Sequence, residues 1–416
     1  MRASQRRTVR SGTIDSFDLD SDSDYDEPPR INQRQRSTDG LISQKHRRIS
    51  MQKQAATERG KGTAASARQG LSSALSHAID PALVDPPSVG QYSDPESLHQ
   101  PNSGYPLDQW IKQIEKLGAS GLIQEYQRLR KEPPCGTFRA FQRFREKNRY
   151  HDVLCYDGTR VELTDGLSQA DYIHANYIDG YKQKRSYICT QGPLKQTYVD
   201  FWRMVWQEKV LVIVMTTRMV ERNKEKCGQY WPPSQRKNMR YGPFLVALRK
   251  LRREEEYDIS YLQIRNRLND QERIVCHVLY HAWPDYKVPK SPTAYLDFVR
   301  LIKKLQATQL KLQFPDWRGH PLGPPIVIHC SAGIGRTGTF AAIDICLQRL
   351  TETGKIDVTD VVRKIRSQRL HSVQTPEQYM FIHLVLIEFA VNSGMYDVAK
   401  LDLSGFVDQG RANPQR

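Results

Sequence analysis

Apolar positions fall into two regimes along the chain. Up to about residue 105 they are sparse, their helical periodicity is weak, and all six Trp lie later. From about Pro106 the pattern tightens. Trp110, Ile111, Ile114 and Leu117 recur at the spacing of one helix face, and Gly118 follows as a stop. Leu122 to Arg130 resumes a helix. The segments Val210–Met215, Phe244–Leu251, Ile259–Ile264, Ile274–Tyr280 and Ile326–His329 read as strands. Three helical stretches follow, at about Gly338–Leu350, Val358–Ser367 and Pro376–Val391. Strands and helices mix without regular alternation. That predicts one α/β (α+β) domain with a twisted mixed sheet flanked by helices. The expected layout is a disordered Ser/Arg/Asp-rich tail over 1–105, a folded domain over 106–394 and a short tail over 395–416.

Composition agrees with that division. An apolar content of 38% is poor for a single globule of 416 residues, so part of the chain is expected to be unfolded. The longest apolar run, Val210 to Met215, suits a buried strand and falls far short of the roughly 18–20 residues of a membrane helix. The N-terminus has basic residues with no apolar core behind them, so it does not read as a secretory signal. Seven cysteines with no C-x-x-C pair argue against a disulfide framework and against a structural zinc site. Most read as small buried hydrophobes in a reduced compartment.

The formal net charge is +16, and residues 1–100 contribute only about +1 of it. A basic folded domain suits an anionic substrate, a phosphorylated partner, nucleic acid or an anionic membrane, and equally a plain solvated surface. The tail carries an acidic patch, Asp15 to Glu27, between basic clusters at Arg6-Arg7 and Lys45 to Arg48. Arg47-Arg48-Ile49-Ser50 has the form read by basophilic kinases, and the basic clusters have the form of nuclear import signals.

The densest chemistry lies in Ile326-Val327-Ile328-His329-Cys330-Ser331-Ala332-Gly333-Ile334-Gly335-Arg336-Thr337-Gly338. An apolar strand runs into a glycine-rich turn, and a helix follows. Such a turn gathers backbone N–H groups at the positive end of the helix, a cradle for a phosphate dianion. Cys330 stands at its base, where those amides, the dipole and Arg336 are expected to favour the thiolate. Arg336, six residues on, is far enough round the turn to fork two phosphate oxygens. The glycines also match G-x-G-x-x-G, a dinucleotide fingerprint. That alternative wants a second parallel strand ending in an acid about 20 residues on. The chain past Gly354 instead reads as a helix capped by Asp357 or Thr359, and Cys330 would be left unexplained. Phosphoryl transfer from an ester also needs an acid to protonate the leaving oxygen, and Trp283-Pro284-Asp285 offers a carboxylic acid in a turn-prone segment. Alone, that tripeptide is a turn with an Asp.

With both segments in view, Leu107 to Val391 resembles the catalytic domain of the cysteine-dependent, tyrosine-specific protein phosphatases. His329 through Gly338 is similar to the family's full signature. In the family's order stand Lys147-Asn148-Arg149-Tyr150, Asp171-Tyr172-Ile173, Thr190-Gln191-Gly192-Pro193, Lys226-Cys227-Gly228-Gln229-Tyr230-Trp231-Pro232, Trp283-Pro284-Asp285 and Val373-Gln374-Thr375. Gln374-Thr375-Pro376-Glu377-Gln378-Tyr379 and Arg203-Met204-Val205-Trp206 look most like the non-receptor subfamily that usually carries a Sec14-like domain, for which the first 105 residues leave no room.

The resemblance implies hydrolysis of phosphotyrosine in proteins with no metal or organic cofactor, in the cytoplasm and, given the basic clusters, also the nucleus. Nucleic acid is not an expected partner. Cys330 would form a cysteinyl-phosphate and Asp285 would serve as acid and then base. Arg336 and the amides of Ser331, Ala332, Gly333, Ile334 and Gly335 would hold the phosphoryl oxygens. Thr337 would bond the departing thiolate, and Gln374 with Gln378 would position water. Glu221 would hold Arg336, with Lys226 on the same loop and Trp283 and His329 in support. Tyr150 would make a slot too deep for phosphoserine, and Asp152 would bond the substrate backbone. Gln229, Tyr230, Trp231, Trp202 and Trp206 are expected to pack. Three positions depart from the family pattern: His174 where Asn is common, Lys287 where Gly is frequent, and His371 at the rim where a small residue would open a second pocket. A non-catalytic phosphotyrosine-binding module is the competing expectation, and loss of Cys330, Arg336 or Asp285 would have favoured it.

Overall fold

The computed structural model describes residues 104–168, 170–284 and 287–407. The expected tail therefore falls outside the described residues except at its last two positions, and so do Asp285 and Tyr286. A nine-stranded sheet organises the rest. In chain order its strands are β1 (Arg160–Glu162), β2 (Tyr172–Ile178), β3 (Tyr187–Thr190), β4 (Val212–Met215), β5 (Asn238–Tyr241), β6 (Phe244–Arg253), β7 (Tyr257–Asn266), β8 (Gln271–Tyr280) and β9 (Ile326–His329). They lie side by side as β1-β2-β3-β9-β4-β8-β7-β6-β5. The central four, β3, β9, β4 and β8, run parallel, and both flanks are antiparallel. The helices are α1 (Leu107–Arg130), α2 (Arg139–Arg143), α3 (Tyr198–Gln207), α4 (Pro292–Gln313), α5 (Gly335–Thr353), α6 (Val358–Gln368), α7 (Pro376–Asn392) and a short α8 (Ser404–Val407). The mixed α/β architecture is the expected one.

Of the four central strands, β3, β4 and β9 are buried along their whole length, because both their faces are covered, and β4 is apolar throughout. Side chains alternate across a strand. Val212 and Val214 of β4 and Ile326 and Ile328 of β9 therefore join a core shared with α1, α4, α5, α6 and α7. Ile213, Met215 and Val327 join a second core with Phe201, Trp202, Met204 and Val205 of α3. Each of these side chains contributes on the order of 1.5–3 kcal/mol of transfer free energy.

Local signals explain the helix ends. Gly118, read as a stop, has φ +57 and breaks the helical path, so α1 is two helices joined at a kink. Ser291 caps α4 through the amide of Ala294, Asp357 caps α6 through that of Asp360, and Thr375 caps α7 through that of Gln378. The segment after α7 continues into α8, where Gly405 packs on the Gly118 kink and Asp402 N–H donates to Glu115.

The topology does one thing for function. Parallel strands end on one edge, and ligands bind outside the carboxyl ends of such strands. Four segments leave the sheet at that edge: 191–193 after β3, 216–226 after β4, 281–284 after β8 and 330–334 after β9.

Candidate active site

β9 stops at His329 and the chain turns at once, with α5 starting at Gly335. Gly333 sits at φ +71, where a Cβ would lie 1.9 Å from Thr190 O, so only glycine fits this bend. Its N–H donates to Cys330 Sγ at 3.2 Å. The first N–H groups of α5 have no acceptor within the helix and carry its positive end. Cys330, five residues before the start of that helix, is buried, with 6% of its surface exposed.

Arg336 reaches away from the helix to a carboxylate. Its Nη1 donates to Glu221 Oε1 at 2.6 Å and to Thr216 O at 3.0 Å, and its Nη2 donates to Glu221 Oε2 at 3.0 Å. The forked pair fixes the guanidinium plane. The Trp283 ring centroid lies 6.0 Å from that guanidinium, and Trp283 Nε1 donates to Lys287 O at 2.7 Å. This bond ties together the two ends of the segment that contains Asp285.

The turn is braced from several sides. Ser331 Oγ donates to Lys226 O at 2.9 Å, so Lys226 enters through its carbonyl. With that proton committed, Tyr150 OH is the donor in its 2.8 Å bond to Ser331 Oγ. Gly192 N–H donates to Ser331 O at 2.9 Å. Arg149 N–H donates to Gln191 Oε1, and its guanidinium donates to the carbonyls of Gly192 and Pro193. These bonds hold the Tyr150 segment against the loop after β3. Val373 N–H donates to Ile334 O at 3.0 Å, although Val373, β-branched, sits at φ +59. Gln374 N–H donates to Gln378 Oε1 at 2.8 Å, and both amide side chains approach Gly335 closely enough to meet a Cβ built there at 3.0–3.1 Å. Thr337 Oγ1 is buried with no hydrogen-bond partner among the described residues. Asp152 is exposed at the rim, where its charge acts on His371. The His371 pKa is lowered by burial and by Arg366 and Arg130, against Asp152.

Two braces have no counterpart in the sequence pattern. Arg369, fully buried, donates Nε to Gly333 O at 2.6 Å and Nη2 to Ala332 O at 3.1 Å. Tyr230, read from sequence as packing, has its hydroxyl 2.8 Å from His277 Nε2 and 2.7 Å from His329 Nε2. His329 Nδ1 lies 3.1 Å from Cys330 O, which can only accept, so Nδ1 carries the proton and Nε2 accepts from Tyr230. Tyr230 then accepts from His277. Burial lowers the His329 pKa to about 4, and burial with the neighbouring His329 lowers that of His277 to about 3, so both rings are neutral. Among the other cysteines, burial pushes Cys155 up to about 11 and Cys189 and Cys276 to about 12, which leaves them protonated thiols.

Residues 144–388 match the family model described as protein-tyrosine phosphatase, more than half of the chain. The chain belongs to the protein-tyrosine phosphatase family. It is 44% identical over 307 residues to human tyrosine-protein phosphatase non-receptor type 9, a match covering 73% of this chain and 52% of that protein. It is 43% identical over 256 residues to the Lar-like tyrosine-protein phosphatase of Caenorhabditis elegans, covering 61% of this chain and 11% of the relative. Rat receptor-type tyrosine-protein phosphatase F is 42% identical over 248 residues, covering 59% and 12%. The chain thus spans about half the length of the non-receptor relative and a small part of the receptor-type ones. Among the described residues of this phosphatase-family chain, no helix is long and apolar enough to cross a membrane.

Proposed function

We propose that the chain is an active protein tyrosine phosphatase with its catalytic domain at 106–394. One observation carries this reading: a buried thiol that accepts an N–H from its own turn lies at the head of a helix whose Arg336 is forked onto Glu221. Cys330 attacks phosphorus in line as the tyrosyl oxygen leaves, protonated by Asp285. Arg336 and the turn amides bind the equatorial oxygens most strongly as charge develops there. Asp285 then takes a proton from water held by Gln374 and Gln378. That water attacks phosphorus, phosphate departs, and the thiolate returns with Thr337 as its hydrogen-bond donor. The unpartnered Thr337 hydroxyl supports that last role. Tyr150, fastened to Ser331, supports a slot deep enough to select phosphotyrosine over phosphoserine. Substrates are phosphotyrosine-containing proteins whose backbone is met by Asp152. The basic clusters of the tail favour cytoplasmic and nuclear residence, with a basophilic kinase acting at Ser50.

The test is phosphate release from a phosphotyrosine peptide with chelator present. Turnover by the wild type, abolished in Cys330→Ser and strongly reduced in Asp285→Ala, is expected. A folded wild type that binds the peptide without releasing phosphate would make the protein a binding module.

A further inference from the structure

His174, the residue that stands where Asn is common, lies in β2 with 1% of its surface exposed. Its two ring nitrogens face different parts of the site. Nε2 is 2.8 Å from Val153 O, and Nδ1 is 3.2 Å from Arg369 Nη2. A carbonyl only accepts, so Nε2 carries the proton, and the Nδ1 lone pair accepts from the guanidinium. The neutral ring satisfies both partners at once, and burial together with Arg369 keeps it neutral, with a pKa lowered to about 3.

The partners lead to two different functions. Arg369 holds the carbonyls of Ala332 and Gly333 in the phosphate turn, and its remaining nitrogen donates to Asn176 Oδ1 at 2.7 Å. Val153 follows Asp152 and closes the stretch that begins at Tyr150. The near side of that stretch touches the same ring indirectly. Phe141 packs edge-on against His174 at 5.8 Å, and Phe141 O accepts from Asn148 Nδ2. One imidazole therefore spans from the support of the phosphate turn to both ends of the Tyr150–Asp152 segment.

We infer that His174 is a positioning residue that sets the height of the Tyr150–Asp152 rim above the phosphate turn, and so the affinity for peptide flanking the phosphotyrosine. The inference rests on the phosphatase reading and adds a determinant of peptide recognition to it. Asparagine carries its oxygen and nitrogen on one carbon, closer to the backbone than imidazole Nε2. In place of His174 it meets Arg369 but does not also reach Val153 O. Phenylalanine fills the space and meets neither.

The two variants separate the two bonds. The assay compares KM for a phosphotyrosine peptide with KM for para-nitrophenyl phosphate, which is too small to reach Asp152, and measures vanadate affinity as a probe of the turn. His174→Asn is expected to raise the peptide KM about fivefold more than the aryl phosphate KM, the factor for one hydrogen bond of about 1 kcal/mol. His174→Phe is expected to weaken vanadate by a similar factor as well, because Arg369 loses an acceptor. If His174→Phe does not fold, His174→Asn decides alone. An unchanged ratio of the two KM values in His174→Asn overturns the inference. Absence of wild-type turnover on both substrates overturns the phosphatase reading, and the inference with it.

Discussion

Acid should weaken this domain as pH falls below the range in which free imidazoles titrate. Four histidines, His174, His277, His329 and His383, are fully buried and neutral, with pKa values lowered by burial to about 3, 3, 4 and 4. In the unfolded chain each titrates near 6.5. Between those limits only the unfolded chain takes up the protons, so stability falls as pH falls from about 6.5 toward 4. At pH 5 the deficit is about 1.5 pH units for each ring. That is about 2 kcal/mol each at 1.36 kcal/mol per unit, and about 8 kcal/mol for the four. Typical domains have about 5–15 kcal/mol in total. Urea melts at pH 7.5, 6.5, 5.5 and 5.0 would read the effect as a midpoint falling by about 2–3 M, for an m-value near the upper end of the usual range. The slope should correspond to nearly four protons bound on unfolding. His383→Phe, in a ring site stacked on Trp110 and edge-on to Tyr379, should remove about one of them. A midpoint at pH 5.0 within about 0.5 M of that at pH 7.5 would refute the claim that these rings are sealed and neutral. The acid limb of any activity profile would then need another cause.

Three further outcomes follow from the site. Gly333→Ala must move backbone, since Thr190 O and C lie 1.9 and 2.4 Å from the new Cβ. Taking the Gly333 N–H away from the thiol is expected to lower kcat/KM by about 10²–10³, the usual loss of one preorganised donor, and a loss under fivefold would count against the cradle. Tyr230→Phe leaves two buried imidazole nitrogens without their hydroxyl, and denaturation should register a loss of about 1–3 kcal/mol. An unchanged midpoint would mean that water replaces the hydroxyl. Peroxide should oxidise Cys330 first, to a sulfenic acid that can condense with the Ser331 nitrogen with loss of water, and early inactivation should reverse with a thiol reductant. Peptide mass mapping that found Cys189 or Cys276 modified earlier would contradict the reading of Cys330 as the nucleophile.

The legible parts of the fold were those where burial alone sets the pattern. Ile326–His329 and the α6 and α7 starts were readable because an apolar run or a cap marks them. The apolar pattern does not reveal strand β2, although all seven of its residues are buried. Its His174 and Asn176 are polar and buried because they support Arg369, so site chemistry erased the strand's apolar signature. α4 is absent from the elements expected above, although Ser291-Pro292 marks its start and Leu296, Val299, Ile302 and Leu305 follow at helical spacing. At the site, the signature motif exposed Cys330 and Arg336, and the family resemblance supplied Glu221 as the partner of Arg336. Arg369 and the Tyr230 hydroxyl have roles that exist only through tertiary contact. An arginine between Gln368 and Leu370 reads as surface, and a tyrosine in an aromatic run reads as packing.

The order in which the braces occur along the chain has a consequence for synthesis. Tyr150, Gln191, Glu221 and Cys330 are made before Arg369, Val373 and Gln374, yet those late residues hold the turn that surrounds the thiol. A nascent chain halted after α5 would hold a complete cysteine signature with no buttress beneath it. Contacts that span so many residues close slowly, because chain entropy is lost before they form. Assembly of the proposed site should therefore appear as one late event, after α6 and α7 have cleared the ribosome. Until then Cys330 is an ordinary cysteine on an unfinished chain.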